Sequence, residues 1–123
     1  MTSFETKPKV KIEFINTSID TVTNTTKISI SDLIKKYKSL QGKYIETKGI
    51  VYWEFENVAI CNNKGQDSQC FWLNLNRDLN INDSLLQKVS GEQITLKGIV
   101  DTTSKGHLNA YLATIKNVYY LKQ

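Results

Sequence analysis

A chain of 123 residues with 40% hydrophobic and 23% charged side chains has the size and balance of one self-supporting globular domain. It contains no run of about 18 apolar residues and no apolar stretch behind the first Met, so neither a membrane-spanning helix nor a signal peptide is expected. The net charge of +4 is lopsided: residues 1–43 hold eight Lys against four acids, while residues 44–123 hold seven Lys and Arg77 against eight acids and are neutral.

Residues 1–8 have the composition of a loose tail. In KVKIEFI, residues 9–15, charge alternates with Val10, Ile12 and Phe14, the pattern of a half-buried strand. Residues 16–26 are rich in Thr, Asn and Ser and are expected to form an irregular linker. Residues 1–30 are therefore expected to be an N-terminal arm with an extra strand, leaving 31–123 as the main domain. Ser31-Asp32 is expected to open a short helix reaching about Leu40, with Ser31 capping free amides and Asp32 matching the positive helix end. Leu33, Ile34, Tyr37 and Leu40 share one face of that helix, and Lys35, Lys36 and Lys38 occupy the others.

Gly42 then opens a ten-residue pattern, GKYIETKGIV, which returns 49 residues later as GEQITLKGIV from Gly91. Each copy is expected to be a glycine turn leading into a strand of alternating apolar residues. The inner glycines, Gly49 and Gly98, are expected to mark bends or bulges that let a strand coil around a small barrel. Further strands are expected over 55–62, 69–76 and 107–121. A short helix capped by Asn82 or Asp83 and stopped by Gly91 precedes the second copy. In CFWLNLN, Phe71, Leu73 and Leu75 share one strand face, and Cys70, Trp72, Asn74 and Asn76 share the other.

The expected fold is all-β with short helices: a five-stranded antiparallel barrel with an N-terminal strand and helix extension. GKYIETKGIV, CFWLNL, NDSLLQKVSGE, GEQITLKGIV and AYLATIKNVYYL together resemble the strand signatures of bacterial OB-fold families, including the tRNA-anticodon-like group, over about residues 31–121. The resemblance implies a five-stranded barrel with a helix between its third and fourth strands. OB-folds hold single-stranded nucleic acid, sugars or proteins, so the fold does not choose the function.

No catalytic residue, metal ligand or cofactor is assigned. The single His107 lies in a turn without the converging groups that acid–base chemistry needs. Cys61 and Cys70 have neither CxxC spacing nor an adjacent base, and the glycines form no phosphate loop. If residues 62–69 turn a hairpin, Cys61 and Cys70 face each other and can form a disulfide; two reduced thiols are the alternative. A complete chain would be cytoplasmic, whereas a trimmed leader and an oxidised pair would make it extracytoplasmic.

Trp72, with Asn74 and Asn76 beside it, lies where OB-folds hold ligands and could anchor a partner protein or stack a base. The alternative is that the arm strand, residues 9–15, or the linker covers Trp72. Tyr52 belongs to an aromatic cluster, with Trp53 and Phe55, at the turn between the first two barrel strands. A phosphate track could come only from the N-terminal arm and Lys35, Lys36, Lys38 and Lys43. The neutral barrel half favours a protein partner or ligand, in an adaptor or immunity-type role. Single-stranded nucleic acid is the second expectation.

Overall fold

In the computed structural model, which describes residues 11–123, the two ten-residue patterns become two of the longest strands and pair with each other antiparallel. The elements are β1 (Glu13–Ile15), α1 (Thr17–Asp20), β2 (Thr26–Lys27), α2 (Ile30–Lys36) with a 3₁₀ turn at Tyr37–Leu40, β3 (Tyr44–Glu54), β4 (Asn57–Cys61), β5 (Cys70–Leu75), α3 (Asp83–Lys88), β6 (Glu92–Asp101), a 3₁₀ turn at His107–Asn109 and β7 (Thr114–Lys122).

β3 pairs with β4 and β6, β4 with β5, β5 with β7, and β7 with β6, so five strands close into a ring. The β5–β7 pair is parallel, which corrects the expectation of a wholly antiparallel arrangement. A ring with an odd number of strands cannot alternate direction all the way round, so one neighbouring pair must run the same way. Inside the ring, Ile45, Val51, Ile60, Phe71, Leu73, Ile94, Leu96, Val100 and Ile115 form a continuous core.

The helices close the two ends. β3, β5 and β7 run in one direction, as the pairings require. The start of β3 and the finish of β5 therefore lie at opposite ends. α2 leads into β3 and buries Leu33, while Tyr37 sets its ring edge on Phe71 at 5.6 Å. α3 follows β5 and buries Leu86 at the other end. The α2 cap is Ser29 rather than Ser31: the Ser29 hydroxyl accepts from the Asp32 amide at 3.1 Å, three residues on. Asn82 caps α3 in the same way.

Gly98 sits at an irregularity in the β6–β7 register. Gly49 does not: the β3–β6 pairing runs through it without a shift. Its role is close approach, since a Cβ there would lie 2.8 Å from Ile60 Cγ1 and 2.9 Å from the Cys61 carbonyl oxygen.

Residues 1–10, including the first two positions of the expected arm strand, lie outside the described residues. The remaining arm is built into the sheet. β7 pairs with β5 along Thr114–Val118, and beyond the end of β5 its exposed edge is taken by β1, from Glu13↔Lys122 to Ile15↔Tyr120. β2 does the same for β3, pairing at Ile45 and Glu46 ahead of the stretch held by β4. The expected linker contains α1, capped by the Asn16 side chain. The arm thus covers backbone that would otherwise be open to foreign strands.

Lys97 on β6 ties α1 to the ring. Its Nζ bonds Asp20 Oδ1 at 2.8 Å, approaches Glu46 Oε1 at 3.7 Å and lies 4.3 Å from the centre of the Tyr120 ring. Burial works against the Lys97 ammonium, but the Asp20 hydrogen bond and the Asp20 and Glu46 charges outweigh it and raise its pKa. For the Tyr119 phenol burial acts in the opposite sense and raises the pKa, and its hydroxyl has no hydrogen-bond partner among the described residues. Both groups have folded pKa values above their unfolded ones, so their contribution is complete below about pH 10 and is lost as pH rises further. Urea midpoints should therefore fall above about pH 10, and Lys97→Met should flatten part of that fall. An unchanged midpoint across that range would show that neither group is coupled to folding.

Candidate binding groove at Trp72

Cys61 and Cys70 stand opposite each other on β4 and β5 and are bonded, with Cα atoms 4.2 Å apart, slightly closer than the disulfide range of about 4.4–6.8 Å. Beyond them the Asn62 amide donates to the Gln69 carbonyl at 3.2 Å. The hairpin register is therefore pinned at the strand end nearest its loop. Reduction should lower unfolding stability by about 2–3 kcal/mol through the released chain entropy of a short loop. Urea unfolding with and without reductant reads this directly, and identical curves would contradict it.

That register aims Trp72 outward. It pairs with Ala59 on β4 and Thr114 on β7, between the inward Phe71 and Leu73. Trp72 is half-buried. Its cover comes from the loop 102–113. Tyr111 lies 5.1 Å from the indole and His107 stacks at 6.2 Å. Gly106 has φ +70°, and a Cβ on it would lie 2.4 Å from Trp72 Cβ. Gly106→Ala should lift this loop and lower stability by about 2 kcal/mol, a thermal melt being the check. A neutral result would show the loop to be loosely seated.

The expected strand over 107–121 begins only at Thr114, because Leu108 and Asn109 both take left-handed backbone at φ 56°. The loop they shape reaches the β3–β4 turn. Tyr111 Oη donates to Asn57 Oδ1 at 2.9 Å, and His107 Nε2 is 3.8 Å from Glu56 Oε2. Burial raises the Tyr111 phenol pKa. Phe55 is not in a strand but at the tip of that turn, 94% exposed, and Leu108 is 84% exposed on the neighbouring loop.

On the other side of Trp72 lies an open groove of ≈ 850 Å³. Trp53, Val58, Trp72, Asn74, Leu75 and Ile81 line it, joined by Arg77, Asp83 and Asn117. Trp53 pairs with Val58, one step out of phase with the Tyr52–Ala59 pair. By strand alternation Trp53 and Trp72 project from opposite sheet faces, so the groove wraps the sheet end. Asn74 Oδ1 accepts from Trp72 Nε1 at 3.1 Å. Asn76 is occupied internally: it donates to Asn117 Oδ1 at 2.6 Å and accepts from Asn16 Nδ2 and the Asp78 amide, each at 3.1 Å. It fixes the groove floor, with Asn117 held at φ 51°. A second recess of ≈ 420 Å³ shares Trp53, Val58 and Asp83 with this groove and adds Glu54, Phe55, Glu56 and Gln87.

The structure thus brings Trp72, Asn74 and Asn76 together. Tyr52, on the same sheet face as Trp72, does not line the groove. Lys35, Lys36 and Lys38 are exposed on α2 and the turn after it, and Lys43 precedes β3, all at the far end of the ring from the finish of β5. Sequence reasoning missed Trp53 as a groove wall, together with Arg77, Asp83 and Asn117. Trp53 had a signal, its place in the aromatic run before Phe55; Arg77 and Asn117 had none. Among the described residues no group of three or more His, Cys, Asp or Glu could hold a metal, and no helix is long and apolar enough to cross a membrane. Compared with known proteins, the chain matches no family model, no curated protein and no solved structure.

Proposed function

We propose that this chain is a non-enzymatic binding module built on an OB-like barrel, and that it holds a partner protein or ligand in the groove at Trp72. Three features support the barrel reading: the closed order of five strands, the single parallel pair between β5 and β7, and α3 placed between the third and fourth ring strands. They fit the arrangement that the sequence resembles. An adaptor or immunity-type role suits a small rigid module whose site residues are indoles and amides. The bonded Cys61–Cys70 pair favours an oxidising, extracytoplasmic setting over a reducing one.

The observation that carries the reading is the make-up of the groove. Among the described residues it joins two indoles to a single cation, Arg77, and a single anion, Asp83. Such a lining suits an amphipathic partner surface. Single-stranded nucleic acid, the second reading, needs stacking rings beside a positive track, and here the Lys cluster lies away from the rings. Fluorescence anisotropy with labelled oligo-dT at low and high salt tests the choice. We expect no binding at low salt. Micromolar, salt-sensitive binding would replace the protein reading with the nucleic-acid one. A photo-crosslinking side chain at position 74 should then trap the physiological partner, while one at position 36 should not; equal yields would remove the groove as the site.

A further inference from the structure

We propose that the partner presents a segment with Lys or Arg beside apolar side chains, received jointly by the Phe55 recess and the Trp72 groove. This rests on the reading of that face as the binding face. Three observations lead to the class of partner.

The first is charge. Glu54, Glu56 and Asp83 line the recess, and among the described residues Arg77 is the only basic side chain across recess and groove. Three carboxylates against one guanidinium leave the combined surface negative. His107 faces Glu56 at 3.8 Å and offsets it in part when protonated, and the Ser90 hydroxyl donates to Glu54 at 3.4 Å. A phosphate backbone would be repelled here. Ammonium and guanidinium groups would be attracted, both to the carboxylates and to the face of Trp53.

The second is apolar display. Phe55 stands 94% exposed between two glutamates, beside the Trp53–Val58 pair. Leu108, 84% exposed, holds a left-handed backbone that a branched side chain rarely adopts. The two tips belong to loops already braced by Tyr111 and Asn57, so little ordering is needed before they enter a partner's apolar socket. Backbone strain at an exposed apolar tip fits a surface shaped for contact.

The third is the state of the backbone. β4 pairs with β3 and β5, and β5 with β4 and β7. The β4–β5 pairing stops at Ala59 and Trp72, so among the described residues the facing edges of Asn57–Val58 and Leu73–Leu75 carry no strand partner where the groove opens. An incoming segment can meet backbone there as well as side chains, and the charge and aromatic pattern selects which segment.

The test is selection of random short peptides on the folded, oxidised protein, followed by titration of the selected peptides against the indole N–H resonances of Trp53 and Trp72. We expect a consensus of Lys or Arg spaced by Leu, Phe or Trp, and saturable shifts of both indoles. Phe55→Ala and Glu54→Gln should each weaken binding about fivefold or more. Phe55 is almost fully exposed, so its loss should leave the fold intact. An acidic or uncharged consensus, or binding unchanged by both substitutions, overturns the proposal. If selected peptides fail to move the indoles but oligo-dT or phosphatidylcholine vesicles do, the face remains the binding face and only the class of partner falls. If nothing moves them, both readings fall together.

Discussion

Phe71→Ala should cost the protein about 3–5 kcal/mol, a large share of the stability of a domain of this size. Phe71 is fully buried, points from β5 into the ring and carries the edge of Tyr37. Its removal empties the contact through which the α2 segment closes that end. Two neighbours would be left facing a void: Ile60, directly across on β4, and Tyr37. Urea unfolding, followed by fluorescence with the disulfide intact, gives the number. A loss under about 1 kcal/mol would mean that the helix merely rests on the ring and that the site collapses easily. Phe71→Leu should recover most of the loss, because it restores much of the volume.

The second large effect concerns binding. Trp72→Ala should weaken partner binding by about 2 kcal/mol or more, roughly 30-fold in Kd, as removal of a central aromatic anchor does. The matched control is Tyr52→Ala, on the same sheet face but off the groove, which should change affinity little. Asn74→Ala separates anchoring from orientation, since it removes the acceptor for the indole N–H while keeping the ring. Salt should weaken protein binding gradually. Were the ligand single-stranded nucleic acid, affinity would fall with a log–log slope near −0.7 per phosphate contacted. Equal affinities for the Trp72→Ala and Tyr52→Ala variants would move the site elsewhere.

The ring strands were legible because their information is local. Alternation in KYIETKGIV and EQITLKGIV places Ile45, Val51, Ile94, Leu96 and Val100 in the core, and the turn glycines Gly42 and Gly91 both adopt positive φ. The cysteine pairing was legible for the same reason, since it depends only on a hairpin of known length. Ser31, beside Asp32, carries the local signal for the α2 cap, yet it is Ser29 that the Asp32 amide reaches. The loop over Trp72 was not legible at all. Its shape depends on left-handed Leu108 and Asn109 and on a bond from Tyr111 to Asn57, more than fifty residues earlier. Trp53 joined the groove through its phase in the sheet relative to a strand end, a tertiary fact that no window of sequence contains.

The pairing of Glu13 with Lys122 makes the first and last described strands immediate neighbours. β7 also joins β5 to β6 and so completes the ring. During synthesis the ring cannot shut until β7 has left the ribosome, when the other four ring strands are already waiting. The β3–β4 and β4–β5 hairpins are local enough to form ahead of that moment, and the second, with its cysteines nine residues apart, can also oxidise. A chain assembled this way should close its ring in one slow, cooperative step, with the β3–β4 and β4–β5 hairpins as its earliest native fragments.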